Sequence, residues 1–249
     1  NIPVGQATEL GILVTNVPDF CLEEVSDHAM ALLLACARRV VTFARATHAG
    51  VRDLSAGRGL PRLHEQTLGL IGFGSIAQAL VPKARGFGMR VLAYTPRVTP
   101  STRADVELTN DLDRVLAEAD YVSLHAPATP ETAGLVAERE LRLMKPSAYL
   151  INTSRGALVD EDALFQALTE RWIAGAALDV LRQEPPPADH PLLRLDNAIV
   201  TPHAAFYSET AIAELQAKAA RNVADVLRGT IPINVVNPDV LGRPNLRVG

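Results

Sequence analysis

The sequence predicts an α/β fold built on a doubly wound parallel sheet, and three observations carry that reading. Short apolar runs alternate with amphipathic segments along most of the chain, and a glycine-rich turn joins an early run to a helix. Polar residues then fall just past the ends of several later runs, where such sheets bind ligands. The 249 residues, 48% hydrophobic and 21% charged, suffice for one large domain or one and a half, with a sizeable core.

Taken in order, Gly11–Pro18 reads as a strand with a proline stop. Glu23 to about Ala46 reads as one long helix with Val25, Ala29, Leu32, Cys36 and Val40 on one face. Its middle is apolar all round, which predicts burial on several sides, as between domains or subunits. His48–Pro61, rich in glycine and charge, is a loop. Leu68–Ile71 is a short buried strand, and Ser75–Phe87 carries Ile76, Leu80, Ala84 and Phe87 at helical spacing before Gly88. Pro82 lies inside that helix and is expected to kink it. Arg90–Tyr94 is the second strand.

The alternation then continues. Val106–Leu108, Tyr121–Pro127, Ala148–Ser154, Ala174–Val180 and Asn197–Pro202 are strands, and Asp111–Glu118, Glu138–Met144 and Asp160–Trp172 are helices, the last capped by Asp160. Ser208–Arg228 is a final amphipathic helix with Ile212, Leu215, Ala219, Val223 and Val226 inward and Gly229 as its stop. The tail from Thr230 is expected to be extended.

Residues 68–77 read LGLIGFGSIA, and Gly72, Gly74 and Ala77 fit the pattern G-x-G-x-x-G/A. Alone that pattern is weak, because glycines also serve ordinary strand-to-helix turns. Here a strand precedes it, and a helix and a second strand follow, which completes the βαβ unit that a dinucleotide cradle needs. The helix N-terminus would turn its free N–H groups and partial positive charge toward a pyrophosphate.

Composition excludes other classes. A net charge of −4 gives no reason to expect nucleic acid or an anionic membrane as partner. Cys21 and Cys36 have no C-x-x-C spacing and read as buried free thiols of a reducing, cytoplasmic setting; no metal ligand set is assigned. The most apolar stretch, His28–Ala37, is too short to span a bilayer and runs into Arg38 and Arg39, and no signal peptide is read. The chain opens at Asn1 in mid-element, which suggests an N-terminal truncation.

Three polar groups follow strand ends: Arg155 in NTSRGALVDEDAL, Glu184 in LDVLRQEPPP and His203 in TPHAAFYSE. Each has a bland reading as a surface charge, a solvated turn or a loop cap. Converging on one crevice beside a dinucleotide, they form a coherent set: a cation to hold a carboxylate, an imidazole to carry a proton, a carboxylate to tune the imidazole.

At these residues the chain resembles a family, the D-isomer-specific 2-hydroxyacid dehydrogenases. The matching motifs are TNVPDFCLEEVSDHAMALLLACAR, LGLIGFGSIA, LHAPATPETAGL, LINTSRGALVDEDAL, AALDVLRQEP and VTPHAAFYSE, in order over residues ~10–230. The stretch PHAAFYSE looks most like the branch that contains the C-terminal-binding proteins, NAD-binding transcriptional co-repressors.

The resemblance implies a Rossmann domain over residues 19–205. Residues 1–18 would end a flavodoxin-like substrate domain of which only a remnant is present, and 206–249 would be a C-terminal helix returning to it, with a tail. It implies that Arg155 orients the substrate carboxylate and carbonyl, that His203 is the general acid/base and that Glu184 favours its imidazolium form. Asp179 would contact the nicotinamide carboxamide, and Ser75 and Ile76 would sit at the pyrophosphate. His125, Ala126, Pro127, Thr153, Ser154 and Arg155 would line the cofactor cleft, with His203 and Ala205 in the same contact set.

The implied reaction is hydride transfer between NAD or NADP and C2 of a small D-2-hydroxy acid or 2-oxo acid, in a homodimer built on the long apolar helix. The alternative is a dinucleotide-sensing interaction module like the co-repressors; the absence of a basic or low-complexity tail favours the enzyme.

Cofactor choice turns on the end of the second strand. An NAD site normally places Asp or Glu on the ribose 2′-OH about 20 residues beyond the first glycine. Here Thr95 stands there, with Arg97 two residues on. A missing carboxylate removes repulsion against a 2′-phosphate, which Arg97 could pair with; alternatively Thr95 hydrogen-bonds the ribose and Arg97 faces solvent. The first is preferred, so NADP is expected to be accepted at least as well as NAD.

Overall fold

The computed structural model describes residues 2–96 and 105–247. Its helices are α1 (Val4–Glu9), α2 (Leu22–Ala37), α3 (Val40–His48), α4 (Ser75–Gly86), α5 (Leu112–Glu118), α6 (Glu138–Leu143), α7 (Glu161–Thr169) and α8 (Glu209–Leu227). Its strands are β1 (Thr67–Ile71), β2 (Arg90–Tyr94), β3 (Glu107–Thr109), β4 (Tyr121–Leu124), β5 (Tyr149–Asn152), β6 (Gly175–Leu178) and β7 (Ala198–Val200). Two compact units result, one of residues 22–205 and one that joins the residues up to Cys21 to those from Phe206.

The larger unit is a seven-stranded sheet of order β3-β2-β1-β4-β5-β6-β7. Every pairing is parallel. The chain winds outward from β1 in one direction, then returns and winds outward from β4 in the other. The β1/β4 boundary is therefore the switch point at which open α/β sheets bind ligands.

Buried strands with both faces covered must be apolar on both sides, and side chains alternate between faces with period two. Leu68, Leu70, Ile151 and Ala177 point into one core with Leu33 of α2 and Leu80 and Val81 of α4. Ile71, Val122, Leu124, Leu150 and Leu178 point into the other with Leu116, Leu141 and Leu164 of α5 to α7. Each fully buried leucine contributes ~1.5–3 kcal/mol relative to an exposed one.

The smaller unit contains α1, α8 and a 3₁₀ turn at Pro238–Val240. Asn237, 4% exposed, ties it together: its Nδ2 donates to Thr8 Oγ1 at 2.9 Å and Ile12 O at 3.0 Å, and its Oδ1 accepts from Val14 N at 2.8 Å.

Several expectations are corrected. The long helix is two: after α2, Arg39 takes a left-handed conformation (φ 50) and helix resumes at Val40. Two adjacent arginines following a buried apolar face must leave the packed layer, and the turn closes with Arg39 N donating to Cys36 O at 3.0 Å. The expected strand Gly11–Pro18 is a single bridge, Thr15 to Val235, because no further neighbour extends it into a ladder. The tail is accordingly not simply extended. The expected inward face of α8 is also overstated. Only Ala211 of that helix is buried, and Val223 is 61% exposed.

Candidate active site

The cradle forms where β1 ends. Gly72 has φ +94, and a Cβ there would stand 2.8 Å from Ala126 N and His125 O, so the turn must be glycine for the β1 and β4 ends to meet. Gly74 caps α4 with no side-chain bond, and a Cβ on it would meet nothing within 4 Å. Open space thus lies before the unpaired amides of a helix of 12 residues, with Ser75 exposed and Ile76 half-buried at its start. Ala77, fully buried, lets α4 lie close on the sheet.

Around the cradle the other strand ends are tied to one another. His125 N donates to Ile71 O at 2.8 Å and its Nε2 lies 2.9 Å from Ser123 Oγ. Its residue surface is partly accessible, but desolvation of the ring pushes its pKa down to about 4. Ser154 Oγ donates to Ala126 O at 2.7 Å, and Pro127 beyond it is exposed. Thr153, 7% exposed, has an Oγ1 with no hydrogen-bond partner in the structure. A buried hydroxyl normally finds a partner. Together with the open space at Gly74, this unmet group fits a dinucleotide laid across the strand ends. At the end of β2, Thr95 N donates to Thr109 O at 2.9 Å. Arg97 lies outside the described residues.

The second half of the site stands on the ends of β5, β6 and β7. Buried Asn152 shapes the turn after β5, its Nδ2 donating to Arg155 O at 2.9 Å and its Oδ1 accepting from Ser154 N at 3.0 Å. Arg155 is exposed, with Nη1 donating to Ser154 O at 2.7 Å. After β6, Glu184 folds back so that Oε1 accepts from Leu181 N at 3.0 Å, while Oε2 lies 2.5 Å from His203 Nδ1.

Asp179, 1% exposed, organises the turn after β7. Its carbonyl accepts from His203 N at 2.8 Å, and its carboxylate accepts from Thr201 Oγ1 at 2.5 Å, Ala204 N at 3.0 Å and Ala205 N at 2.8 Å. That anchoring holds His203 in the left-handed region (φ 54), a conformation a histidine rarely takes unaided. A cavity of about 430 Å³ lies here, lined among others by Asp179, Glu184, Thr201 and His203.

Glu184 and His203 are therefore brought into contact, and Arg155 stands exposed on the neighbouring strand end. Sequence reasoning missed Asn152, and it missed His28 of α2, whose Nε2 lies 3.1 Å from Thr201 Oγ1 and 3.5 Å from Asp179 Oδ1. A polar residue closing an apolar strand was the available signal for Asn152; for His28, surrounded by apolar helix residues, there was none. Among the described residues no group of three or more His, Cys, Asp and Glu could hold a metal ion.

Residues 30–205 match the family defined as D-isomer specific 2-hydroxyacid dehydrogenase, NAD binding domain. This chain belongs to that family. A curated relative, a glyoxylate reductase of Korarchaeum cryptofilum (strain OPF8), is 44% identical over 247 residues, 97% of this chain and 74% of the relative. Among solved structures, a D-isomer specific 2-hydroxyacid dehydrogenase from Lactobacillus delbrueckii ssp. bulgaricus in its NAD-complexed form superposes with TM-score 0.84 at 34% identity, over 91% of this chain and 73% of that one. An acyclic imino acid reductase in complex with NADPH and D-Arg superposes with TM-score 0.84 at 31% identity, over 94% of this chain and 74% of that one. The matched span, residues 30–205, contains the β1–α4 turn and the ends of β4 to β7.

Proposed function

We infer that the intact protein is an NAD(P)-dependent D-2-hydroxyacid dehydrogenase acting at C2 of a small 2-hydroxy or 2-oxo acid, with glyoxylate, the acid in the names of several relatives, as the first substrate to test. When bound, the nicotinamide supplies or accepts the hydride. The observation that carries the reading is the 2.5 Å contact between Glu184 Oε2 and His203 Nδ1. With Nδ1 on the carboxylate, Nε2 is the nitrogen assigned to give a proton to the carbonyl oxygen during reduction and take it back during oxidation. The carboxylate holds the ring in one orientation. Arg155 offers a forked cation to a substrate carboxylate.

In the cradle, Gly72, Gly74, Ser75, Ile76 and Ala77 would hold the pyrophosphate; His125–Pro127, Thr153, Ser154, Asp179 and Ala205 would line the rest. Residues 1–18 and 206–249 are assigned to the remnant of the substrate domain. A homodimer is proposed on the α2–α3 region, supported by exposed Val40 (54%), Val51 (50%) and Leu54 (83%). The free, buried Cys36 supports a cytoplasmic location.

The test is nicotinamide absorbance with the intact protein against a panel of 2-oxo acids. Turnover of none of them would overturn the reading, and a light-scattering mass at monomer size would overturn the dimer.

A further inference from the structure

Glu161 is the first residue of α7, directly after the cap Asp160. A glutamate at that place has an ordinary use, which is to offset the helix dipole from solvent. Glu161 does something else. Its side chain is only 14% exposed and leaves its own helix for the segment after β6. Oε1 accepts from Arg182 N at 2.5 Å, and Oε2 lies 3.3 Å from Nε2 of His190, itself 12% exposed.

Arg182 and His190 bracket Glu184. Between them the chain carries three consecutive prolines, which remove backbone donors, so few hydrogen bonds of its own can hold it. One is internal, from His190 N to Pro187 O at 3.0 Å. Another is Glu184 itself accepting from Leu181 N. The Glu161 carboxylate thus pins the segment at both ends from outside.

The ring of His190 is matched to that use. With its proton on Nε2 it donates to Glu161 and leaves Nδ1 as a bare lone pair; Nδ1 is buried and has no partner in the structure. A proton on Nδ1 would be a buried, unpaired N–H.

We propose that Glu161, acting through the Arg182 amide and His190, is a positioning residue for Glu184, fixing the segment so that the Glu184 carboxylate meets His203. The proposal rests on the hydride-transfer reading and deepens it. Glu161 touches none of the reacting atoms. The titratable group facing it is His190; Asp179, whose carbonyl accepts from His203 N and whose carboxylate lies 3.5 Å from His28 Nε2, stands nearest the Glu184–His203 pair among the groups named.

The experiment compares pH–rate profiles of 2-oxo acid reduction for the intact wild-type protein, Glu161→Ala, Glu161→Gln, His190→Leu and, as reference, Glu184→Gln. Cofactor Kd is measured in parallel. In Glu161→Ala, kcat is expected to fall at least tenfold, and the profile to move in the same direction as it moves in Glu184→Gln. Cofactor Kd is expected to change less than twofold. His190→Leu, which cuts one anchor, shifts the profile the same way by less, and Glu161→Gln, which keeps the acceptor for Arg182, lies nearest wild type.

Profiles of Glu161→Ala and His190→Leu superimposed on wild type overturn the proposal, even with kcat lowered, because a merely structural role does not move the profile. If Glu161→Ala does not fold, His190→Leu alone decides. If wild type reduces no 2-oxo acid, or Glu184→Gln leaves the profile in place, it is the functional reading that has failed.

Discussion

Gly156 and Leu181 meet backbone against backbone: a Cβ on Gly156 would overlap the Leu181 carbonyl group and the Arg182 amide. The turn that carries Arg155 and the segment that carries Glu184 therefore lie as close as two chains can, and only glycine permits it. Gly156→Ala must push them apart. Overpacking of this kind costs ~1–3 kcal/mol. Turnover of a 2-oxo acid is expected to drop by two orders of magnitude or more, and cofactor Kd to rise by less, because the proposed pyrophosphate cradle at Gly72–Ala77 stands on β1 and α4 while only part of the cleft lining lies on β5 and β6. Wild-type kcat in this variant would show that the spacing of the two loops does not matter.

The proton carrier and the anion holder should separate kinetically. His203→Ala removes the group that gives and takes the proton, a contribution of typically ~10²–10⁴-fold. Its kcat should fall by that order while the cofactor still binds. Arg155→Ala should raise KM for the 2-oxo acid as well as lower kcat, since the guanidinium is exposed and free to meet a carboxylate. Unchanged kinetics in either variant would remove that residue from the mechanism.

Glu184 gives a test of orientation. The carboxylate lies 2.5 Å from His203 Nδ1 and fixes the ring that carries the proton. Glu184→Gln keeps the size of the side chain and removes its charge, so kcat for 2-oxo acid reduction at saturating cofactor should fall about tenfold or more, while cofactor Kd stays near wild type. A kcat equal to wild type contradicts the role.

Much of this site was legible in the sequence because its parts follow strong local rules. Strand runs such as Leu68–Ile71 are uniformly apolar, Gly72 and Gly74 mark the turn proposed to approach a pyrophosphate, and Asp160 and Ser208 cap their helices through side chains. What stayed hidden depends on contacts distant in sequence. Nothing near Gly156 says that Leu181 will press on it, and nothing near Glu161 names His190. The break at Arg39 was missed for the converse reason: apolar periodicity continues through it, and a single left-handed residue interrupts the helix without interrupting the pattern. Exposure of Val223 on α8 could not be read either, since amphipathicity states that a face is apolar and not what covers it.

Acid stability should report on His125. Its folded pKa of about 4 lies below the ordinary value of 6.5, so the unfolded chain binds more protons between those limits. Stability from this group is therefore full above pH 6.5 and is lost as pH falls toward 4. Between pH 7 and pH 5 the loss amounts to at most about 2 kcal/mol by linkage. Urea midpoints at the two pH values, for wild type and His125→Gln, isolate it from the other histidines. The variant should lose less stability on acidification, and an equal loss in both would show that His125 does not titrate this way.

The end of β2 decides between the two cofactors. Thr95 is anchored there through its N–H to Thr109 O, so the position that usually bears a carboxylate is fixed by backbone geometry and carries a neutral side chain. A carboxylate at that place binds the ribose hydroxyls and repels a 2′-phosphate; a threonine keeps some of the first effect and none of the second. Proteins of similar structure are solved with NAD and with NADPH, so the fold accepts either. NADP is expected to be used with kcat/KM at least equal to that of NAD. Thr95→Asp should restore the repulsion and lower kcat/KM for NADP tenfold or more, a change of about 1.4 kcal/mol, while NAD is hardly affected. Arg97→Ala tests the proposed partner of the phosphate and should lower the NADP:NAD ratio. If wild type instead prefers NAD by tenfold and Arg97→Ala leaves the ratio where it was, Thr95 binds the ribose and no phosphate pocket exists.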